Sequence, residues 1–179
     1  MKRGLYFQRA SRNQNLHDVA RLMLLQGMRP AEVESLERTD TDFGTNTIRI
    51  RRGKSKAARR TLNLTGESRQ ILGRRLKGES RWLFAAPRRR GEHISKLNST
   101  HNAVCRRAGL NFVLYDFRHT FATRMAQAGT DLATLAAILG HSSLRSVQRY
   151  VHPTAEHQRA AMARYDAALQ ATDRRERVQ

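Results

Sequence analysis

The sequence predicts an α+β fold that is mainly α, in which a helical domain carries a small antiparallel β-sheet. Apolar residues recur at three- and four-residue spacing over most of the chain, which is typical of amphipathic helices. Apolar and polar residues alternate near residues 47–64, which is typical of a β-hairpin. We expect one domain over residues 15–170, preceded by a loose basic lead-in or linker stump at 1–14 and followed by a charged tail at 171–179.

The first predicted helix follows the basic lead-in and is amphipathic. Its apolar residues share one face: Leu16, Val19, Ala20, Met23 and Leu24. Gly27 is predicted to end this helix, because glycine readily adopts the left-handed conformation of a helix C-terminus. Pro30 is predicted to begin the next helix, since proline suits the first turn. Helices are also predicted over residues 66–77 and 95–108.

The predicted sheet consists of one hairpin and one short strand. Residues 47–51 and 60–64 alternate between apolar and polar side chains, and a long basic turn joins them. Residues 82–84 predict a short third strand, which Pro87 ends.

The last third of the sequence predicts consecutive helices. Asp116 is predicted to cap a helix that Gly129 ends, and Thr130 is predicted to start a helix that Gly140 ends. Two more helices are predicted, one around residues 144–151 and one over residues 154–170.

The charge of the chain points to a polyanionic partner. Lys and Arg number 34 against 15 Asp and Glu, which gives a formal net charge of +19. Double-stranded DNA is the expected partner, and an anionic membrane surface is the weaker alternative. Aromatic residues make up 6% of the chain, which argues against a platform that stacks single-stranded bases. One cysteine, no apolar run long enough for a membrane span and no signal-peptide pattern at the N-terminus together predict a cytoplasmic protein without a membrane partner.

The sequence shows no pattern typical of a metal or nucleotide cofactor site. Its histidines are not paired with cysteine at zinc-like spacing, no carboxylate cluster suits two magnesium ions, and no glycine-rich phosphate loop is present. We therefore expect no cofactor and no metal. If the chain acts on phosphodiesters, cationic side chains must stabilise the developing charge.

Four residues are candidates for chemistry because of where they fall in the predicted helices. Arg29 and Arg118 lie at helix starts, where a guanidinium group and unpaired backbone N–H groups could clamp one phosphate. His141 follows a predicted helix end, and Tyr150 comes nine residues later, beside apolar residues that leave its hydroxyl exposed. Taken singly, these residues are more typical of solvated surface arginines, a capping histidine and a core-edge tyrosine than of a catalytic site.

Together with their neighbours, these residues resemble a known family. Four stretches match, in order, the motifs of tyrosine recombinases of the phage integrase family: residues 25–36, 53–64, 115–123 and 139–150. The resemblance covers residues from about 16 to about 165. It implies a recombinase catalytic domain that performs site-specific DNA recombination or integration.

The resemblance implies a role for each matched residue. Tyr150 attacks the scissile phosphate and forms a 3′-phosphotyrosyl link. Arg29 and Arg118 bind the non-bridging oxygens, and His141 bonds the phosphate or assists proton transfer. Lys54 protonates the leaving 5′-hydroxyl.

Other residues in the matched stretches have less certain roles. Lys56 is the alternative to Lys54 as the general acid. Tyr115 stands where the family often has histidine, and tyrosine is a poor base near pH 7; His119 is interpreted as a structural partner. Contacts with the DNA are expected from a basic set of residues: Lys56, Arg59, Arg60 and Arg149.

Two features of the chain leave alternatives open. Family members carry an upstream core-binding domain, whereas only about 15 residues precede the catalytic stretch here, so that domain is expected to be absent. Residues 117–151 also imitate a helix-turn-helix, so a non-enzymatic DNA-binding regulator or an inactive integrase remnant is the alternative, and a strand-swivelling topoisomerase is a third. The resemblance further implies a homotetramer that forms only on DNA, with the helix at 154–170 docked on a neighbouring subunit.

Overall fold

A computed structural model describes residues 3–53, 55–151 and 154–176. The described chain is mainly helical and contains a small antiparallel sheet, as the sequence predicts. The elements in chain order are α1 Arg3–Ala10, α2 Gln14–Gln26, α3 Pro30–Glu34, β1 Thr41–Asp42, β2 Thr47–Ile50, β3 Arg60–Asn63, α4 Gly66–Arg75, α5 Leu97–Ala108, α6 Asp116–Gln127, α7 Leu132–Leu139, α8 Arg145–Gln148 and α9 Ala155–Glu176. Within this part of the chain, no helix combines the length and the apolar character needed to cross a membrane.

The sheet confirms the predicted hairpin but not the predicted third strand. Strands β2 and β3 pair antiparallel, with Ile48 opposite Leu62, and β1 pairs with the other edge of β2. Trp82 forms only an isolated bridge. Leu83 and Phe84 are both buried, whereas successive side chains of a strand point to opposite faces, so this segment turns into the core instead of extending a sheet.

Helix α2 lies at the centre of the core and contacts several other helices. It packs against α1, α3, α4, α5 and α6. Its apolar face is buried as the spacing predicts, with Leu16, Val19 and Met23 fully inaccessible. Burying each such side chain stabilises the fold by about 1.5–3 kcal/mol. A second apolar cluster joins α6, α7 and α8 around Leu135 and Val147.

The N-terminal segment corrects the predicted domain boundary. The prediction of a loose lead-in at residues 1–14 is wrong for α1, whose Tyr6 and Ala10 are fully buried. The Tyr6 hydroxyl lies 2.9 Å from Nδ1 of His101 in α5, and its ring packs against Phe112. The apolar face of α1 is short and lies among basic residues, so the sequence shows only a weak helical period there. The long-range contacts of Tyr6, which hold α1 on the core, leave no local pattern.

The helix ends near the site agree with the predicted glycines. Gly27 and Gly140 adopt left-handed φ of 64° and 64° and end α2 and α7. The predicted cap Thr130 is wrong: the side chain of Asp131 accepts from the backbone N–H of Thr134 at 2.8 Å.

Two predicted boundaries in the same region shift. Asp116 is the first residue of α6 rather than its cap. Helix α9 continues to Glu176, so the prediction of a tail from residue 171 is wrong for residues 171–176.

Candidate active site

Two helix C-termini hold the guanidinium group of Arg118. The side chain donates to the carbonyl oxygens of Gly27, just after α2, and of Leu139, the last residue of α7. Carbonyls at a helix C-terminus lack partners within the helix and carry the negative end of its dipole, so they stabilise a cation. Arg118 is only 1% exposed, and burial lowers its pKa to about 10, which leaves it cationic at pH 7.

Arg29 lies at the start of α3 and reaches the same helix end from the other side. Its Nη2 donates to the carbonyl oxygen of Gly140 at 3.2 Å, and its Nη1 donates to Glu32 Oε1 at 2.6 Å. The backbone N–H of Arg29 donates to Glu32 Oε2 at 2.8 Å. Glu32 therefore fixes both the backbone and the side chain of Arg29.

Glu32 also pairs with Arg60, one of the predicted DNA contacts. Two bonds of 3.0 Å join the Arg60 guanidinium to the Glu32 carboxylate, and Arg60 Nε donates to the carbonyl of Ile138 at 2.6 Å. Only 7% of the Arg60 side chain is exposed. These bonds connect β3 to α3 and α7 through Arg60, and its contact with DNA stays a prediction.

The carboxyl group of Glu32 is ionised in this setting. Burial alone would raise its pKa, but the hydrogen bonds and charges of Arg60 and Arg29 outweigh burial, so the pKa of Glu32 lies below its ordinary value. The sequence analysis missed this residue. The signal that could have found it is the glutamate three residues after a helix start, where its carboxylate can accept the N-cap backbone N–H.

His141 contributes an unfilled hydrogen-bond donor beside the two arginines. Its Nε2 lies 3.0 Å from Arg118 Nη2, and because a guanidinium group only donates, Nε2 is the acceptor and Nδ1 carries the hydrogen. Nδ1 is buried and has no hydrogen-bond partner among the described residues. Burial, followed by the positive charges of Arg118 and Arg29, lowers the pKa of His141 to about 4. A neutral imidazole at pH 7 therefore offers one N–H group beside two cations.

Tyr150 follows α8, and its hydroxyl contacts the residue that comes directly after Arg118 in α6. Its half-buried ring packs with the apolar cluster that contains Val147. Its Oη lies 2.5 Å from Nδ1 of His119 and 2.9 Å from Nη2 of Arg149. His119, predicted only as a structural partner, therefore touches the predicted nucleophile. Its place directly after Arg118 in α6 was the available signal.

The remaining predicted site residues surround these groups. The Tyr115 ring lies beside Arg118, 5.9 Å from its guanidinium carbon, and contacts the His119 ring. Lys56 and Arg59 are exposed in the segment between β2 and β3. Lys54, the predicted general acid, lies outside the described residues.

No set of three or more His, Cys, Asp or Glu side chains in the described ranges is placed to hold a metal ion. The charged groups that this part of the chain brings together are arginines, with one shared carboxylate.

Comparisons with known proteins identify the family. The Phage integrase family matches residues 7–157. The chain is 31% identical over 149 residues to tyrosine recombinase XerC from Oceanobacillus iheyensis, covering 75% of this chain and 48% of that protein. It spans about half the length of the curated relatives it matches.

Solved structures share the fold. The Tn1549 transposon integrase in complex with transposon right end DNA has a TM-score of 0.77 at 20% identity, covering 92% of this chain and 64% of that one. The catalytic domain of bacteriophage HP1 integrase has a TM-score of 0.67 at 24% identity, covering 91% and 92%. With the family match spanning most of its length, the chain belongs to the phage integrase family.

Proposed function

We propose that this chain is the catalytic domain of a site-specific DNA recombinase that breaks and rejoins strands through a 3′-phosphotyrosyl intermediate at Tyr150. The observation that carries the proposal is the cluster of Arg29, Arg118 and neutral His141 at the C-terminal end of α7. Guanidinium groups offer a phosphate both positive charge and hydrogen-bond donors.

Arg29 and Arg118 supply the positive charge for the phosphate. Both are anchored by backbone carbonyls at helix ends, so their positions are set before DNA binds. Preorganised cations stabilise the charge that accumulates on the non-bridging oxygens in the transition state, and they need no reorganisation during the reaction. A guanidinium fork also matches the geometry of two phosphate oxygens.

Tyr150 is the proposed nucleophile because its hydroxyl contacts Arg149 and His119, the residue that follows Arg118 in α6. Attack by Oη forms a bond to phosphorus and breaks the bond from phosphorus to the 5′ oxygen. The covalent link conserves the bond energy, so a second strand end can reverse the step without ATP.

The leaving 5′ oxygen needs a proton, which we assign to Lys54, with Lys56 as the alternative. A substrate whose 5′ bridging oxygen is replaced by sulfur tests this assignment, because a thiolate leaves without protonation. Alanine at the true general acid slows cleavage of the oxygen substrate but not of the sulfur substrate. If Lys54→Ala and Lys56→Ala each slow the two substrates equally, neither lysine is the general acid.

Double-stranded DNA is the proposed substrate, and the exposed basic residues beside the site are its proposed contacts. Lys56, Arg59 and Arg149 are exposed around the cluster. The Tn1549 integrase structure, which shares this fold, contains transposon right end DNA. The net charge of +19 also attracts a polyanion such as DNA.

A homotetramer on DNA is proposed for the assembled state. Helix α9 exposes large apolar side chains, with Met162 65%, Tyr165 60% and Leu169 46% accessible. Such residues are suited to docking on a neighbouring subunit. Removing residues 154–179 should leave DNA-bound monomers in native mass spectrometry, and tetramers from the shortened chain would contradict this proposal.

The alternative of a helix-turn-helix regulator finds no support in the packing. A regulator of this kind needs no arginine–histidine cluster, so it leaves unexplained why Arg29, Arg118 and His141 meet at the end of α7.

Covalent trapping tests the proposed activity. The protein is incubated with a nicked duplex from which the cleaved end diffuses away, then denatured and resolved by electrophoresis. We expect a protein–DNA adduct with the unaltered chain and none with Tyr150→Phe, which should bind the duplex with unchanged affinity. Arg118→Ala should slow adduct formation by several orders of magnitude. An adduct with Tyr150→Phe would require another nucleophile and overturn the assignment.

A further inference from the structure

The hydroxyl of Tyr150 lies between two side chains that differ in what they can do with a proton. Arg149 Nη2 and His119 Nδ1 both contact Oη, at 2.9 and 2.5 Å. A guanidinium nitrogen only donates, so Arg149 occupies a lone pair of the hydroxyl. The hydroxyl hydrogen is then directed at Nδ1 of His119, which accepts it in the tautomer that carries hydrogen on Nε2.

Helix α6 and its neighbours hold the imidazole of His119 in place. The Tyr115 ring, one helical turn earlier, meets the His119 ring at a centroid distance of 5.0 Å and an angle of 63°. The Tyr150 ring lies 5.8 Å away, tilted by 39°. These two ring contacts restrict the imidazole, so Nδ1 is positioned before any substrate arrives.

The charges around His119 favour its neutral form. Burial lowers the pKa of His119, and Arg149 and Arg118 lower it further, while Asp116 opposes them. The net direction is downward, so the imidazole is uncharged at pH 7 and its Nδ1 lone pair is available.

The other candidate bases are committed or unsuited. Nε2 of His141 already accepts from the cationic Arg118, and its Nδ1 carries a hydrogen. Tyr115 cannot remove a proton from another tyrosine efficiently near pH 7. Among these side chains, His119 is the one whose free acceptor contacts the nucleophilic oxygen.

We propose that His119 is a catalytic residue, the general base that takes the proton of Tyr150 during strand cleavage. The Oη–H bond breaks toward Nδ1 while Oη bonds to phosphorus and the phosphorus–5′-oxygen bond breaks. The 5′ oxygen takes its proton from the separate general acid. In rejoining, protonated His119 returns the proton to the departing Tyr150 oxygen. This role rests on the proposed function, because it requires Tyr150 to be the nucleophile.

Single-turnover cleavage of the nicked duplex tests the proposal with His119→Gln. Glutamine can still bond the hydroxyl but does not accept its proton. We expect the rate to fall by about 100-fold or more, with DNA affinity unchanged. The matched control is His17→Gln, since the His17 ring packs on Phe7 and contacts Asp18, and its rate should be unchanged.

The pH dependence and chemical rescue separate a base from a structural contact. The rate of the unaltered chain should fall with decreasing pH as His119 becomes protonated, and this acidic limb should vanish in His119→Gln. Imidazole added to His119→Ala should restore part of the rate. A His119→Gln rate within twofold of the unaltered chain, or a retained acidic limb, would overturn the base role.

A measurement without turnover keeps this inference distinct from the proposed function. In nitrogen-15 NMR of the unaltered chain, the Nδ1 signal of His119 should report an unprotonated acceptor, and it should shift in Tyr150→Phe. If neither the unaltered chain nor any variant forms an adduct, the proposed function itself is wrong. An adduct that requires Tyr150, together with a protonated Nδ1 at pH 7, would defeat the role of His119 alone.

Discussion

Replacing Glu32 with glutamine tests the electrostatic core of the site. The Glu32 side chain is 5% exposed and bonds Arg29 and Arg60, whose side chains are 29% and 7% exposed. Without the carboxylate, Arg29 can turn to water, but Arg60 remains buried and loses its counterion. Removing one partner of a buried pair costs about 3–5 kcal/mol, and we expect the free energy of unfolding to fall by that amount at pH 7.

A surface pair provides the matched control for this substitution. Glu67 pairs with Arg21, with side chains 41% and 27% exposed, so Glu67→Gln should cost less than about 1 kcal/mol. Urea denaturation followed by circular dichroism measures both variants. Equal losses in the two variants would refute the reasoning, because the Glu32 cluster would then be as solvated as the surface pair.

The effect of Glu32→Gln also depends on pH. Because the folded-state pKa of Glu32 is lowered, its charge contributes stability that is fully present above the unfolded pKa of about 4.3. This contribution is lost as the pH falls through the lower folded-state pKa. The stability gap between Glu32→Gln and the unaltered chain should therefore be largest near pH 7 and close in acid.

Three further perturbations follow from the packing and the charge. Gly140→Ala places a Cβ 2.7 Å from Arg60 Nη1 at a φ of 64°, whereas at Gly109 the φ is 62° and no atom lies within 4 Å of the added Cβ. Urea denaturation should therefore show a larger loss of unfolding free energy for Gly140→Ala than for Gly109→Ala. Equal losses would mean that crowding at Gly140 is unimportant. Tyr6→Phe leaves Nδ1 of His101 without its 2.9 Å partner and should cost about 1–3 kcal/mol by the same assay, whereas an unchanged stability would argue against the docking of α1. DNA affinity should fall linearly on a log–log plot against salt, with a slope of about −0.9 per phosphate neutralised, and a flat plot from fluorescence anisotropy would contradict the proposed backbone contacts.

Local patterns in the sequence were sufficient for the helices that frame the site. Gly27 and Gly140 were predicted to end helices, and both adopt the left-handed conformation that favours glycine there. The alternation at β2 and β3 likewise predicted the hairpin. Each of these signals lies within a few residues of the feature that it predicts, which is the range over which propensity and periodicity act.

The contacts that complete the site join residues far apart in the chain. Arg60 and Glu32 are 28 residues apart, and His119 and Tyr150 are 31 apart. Whether a basic residue points to DNA or into an internal ion pair depends on how the helices dock, which local pattern does not encode. For that reason the internal bonds of Arg60 to Glu32 and Ile138 could not be predicted from the sequence.

The attachment site of the DNA tests the central claim most directly. The trapped adduct is digested with protease and nuclease, and tandem mass spectrometry locates the residual nucleotide on the peptide. The account predicts a phosphodiester on the Tyr150 oxygen linked to the 3′ end of the cleaved strand. A nucleotide on any other side chain, or a link to the 5′ end, would contradict it.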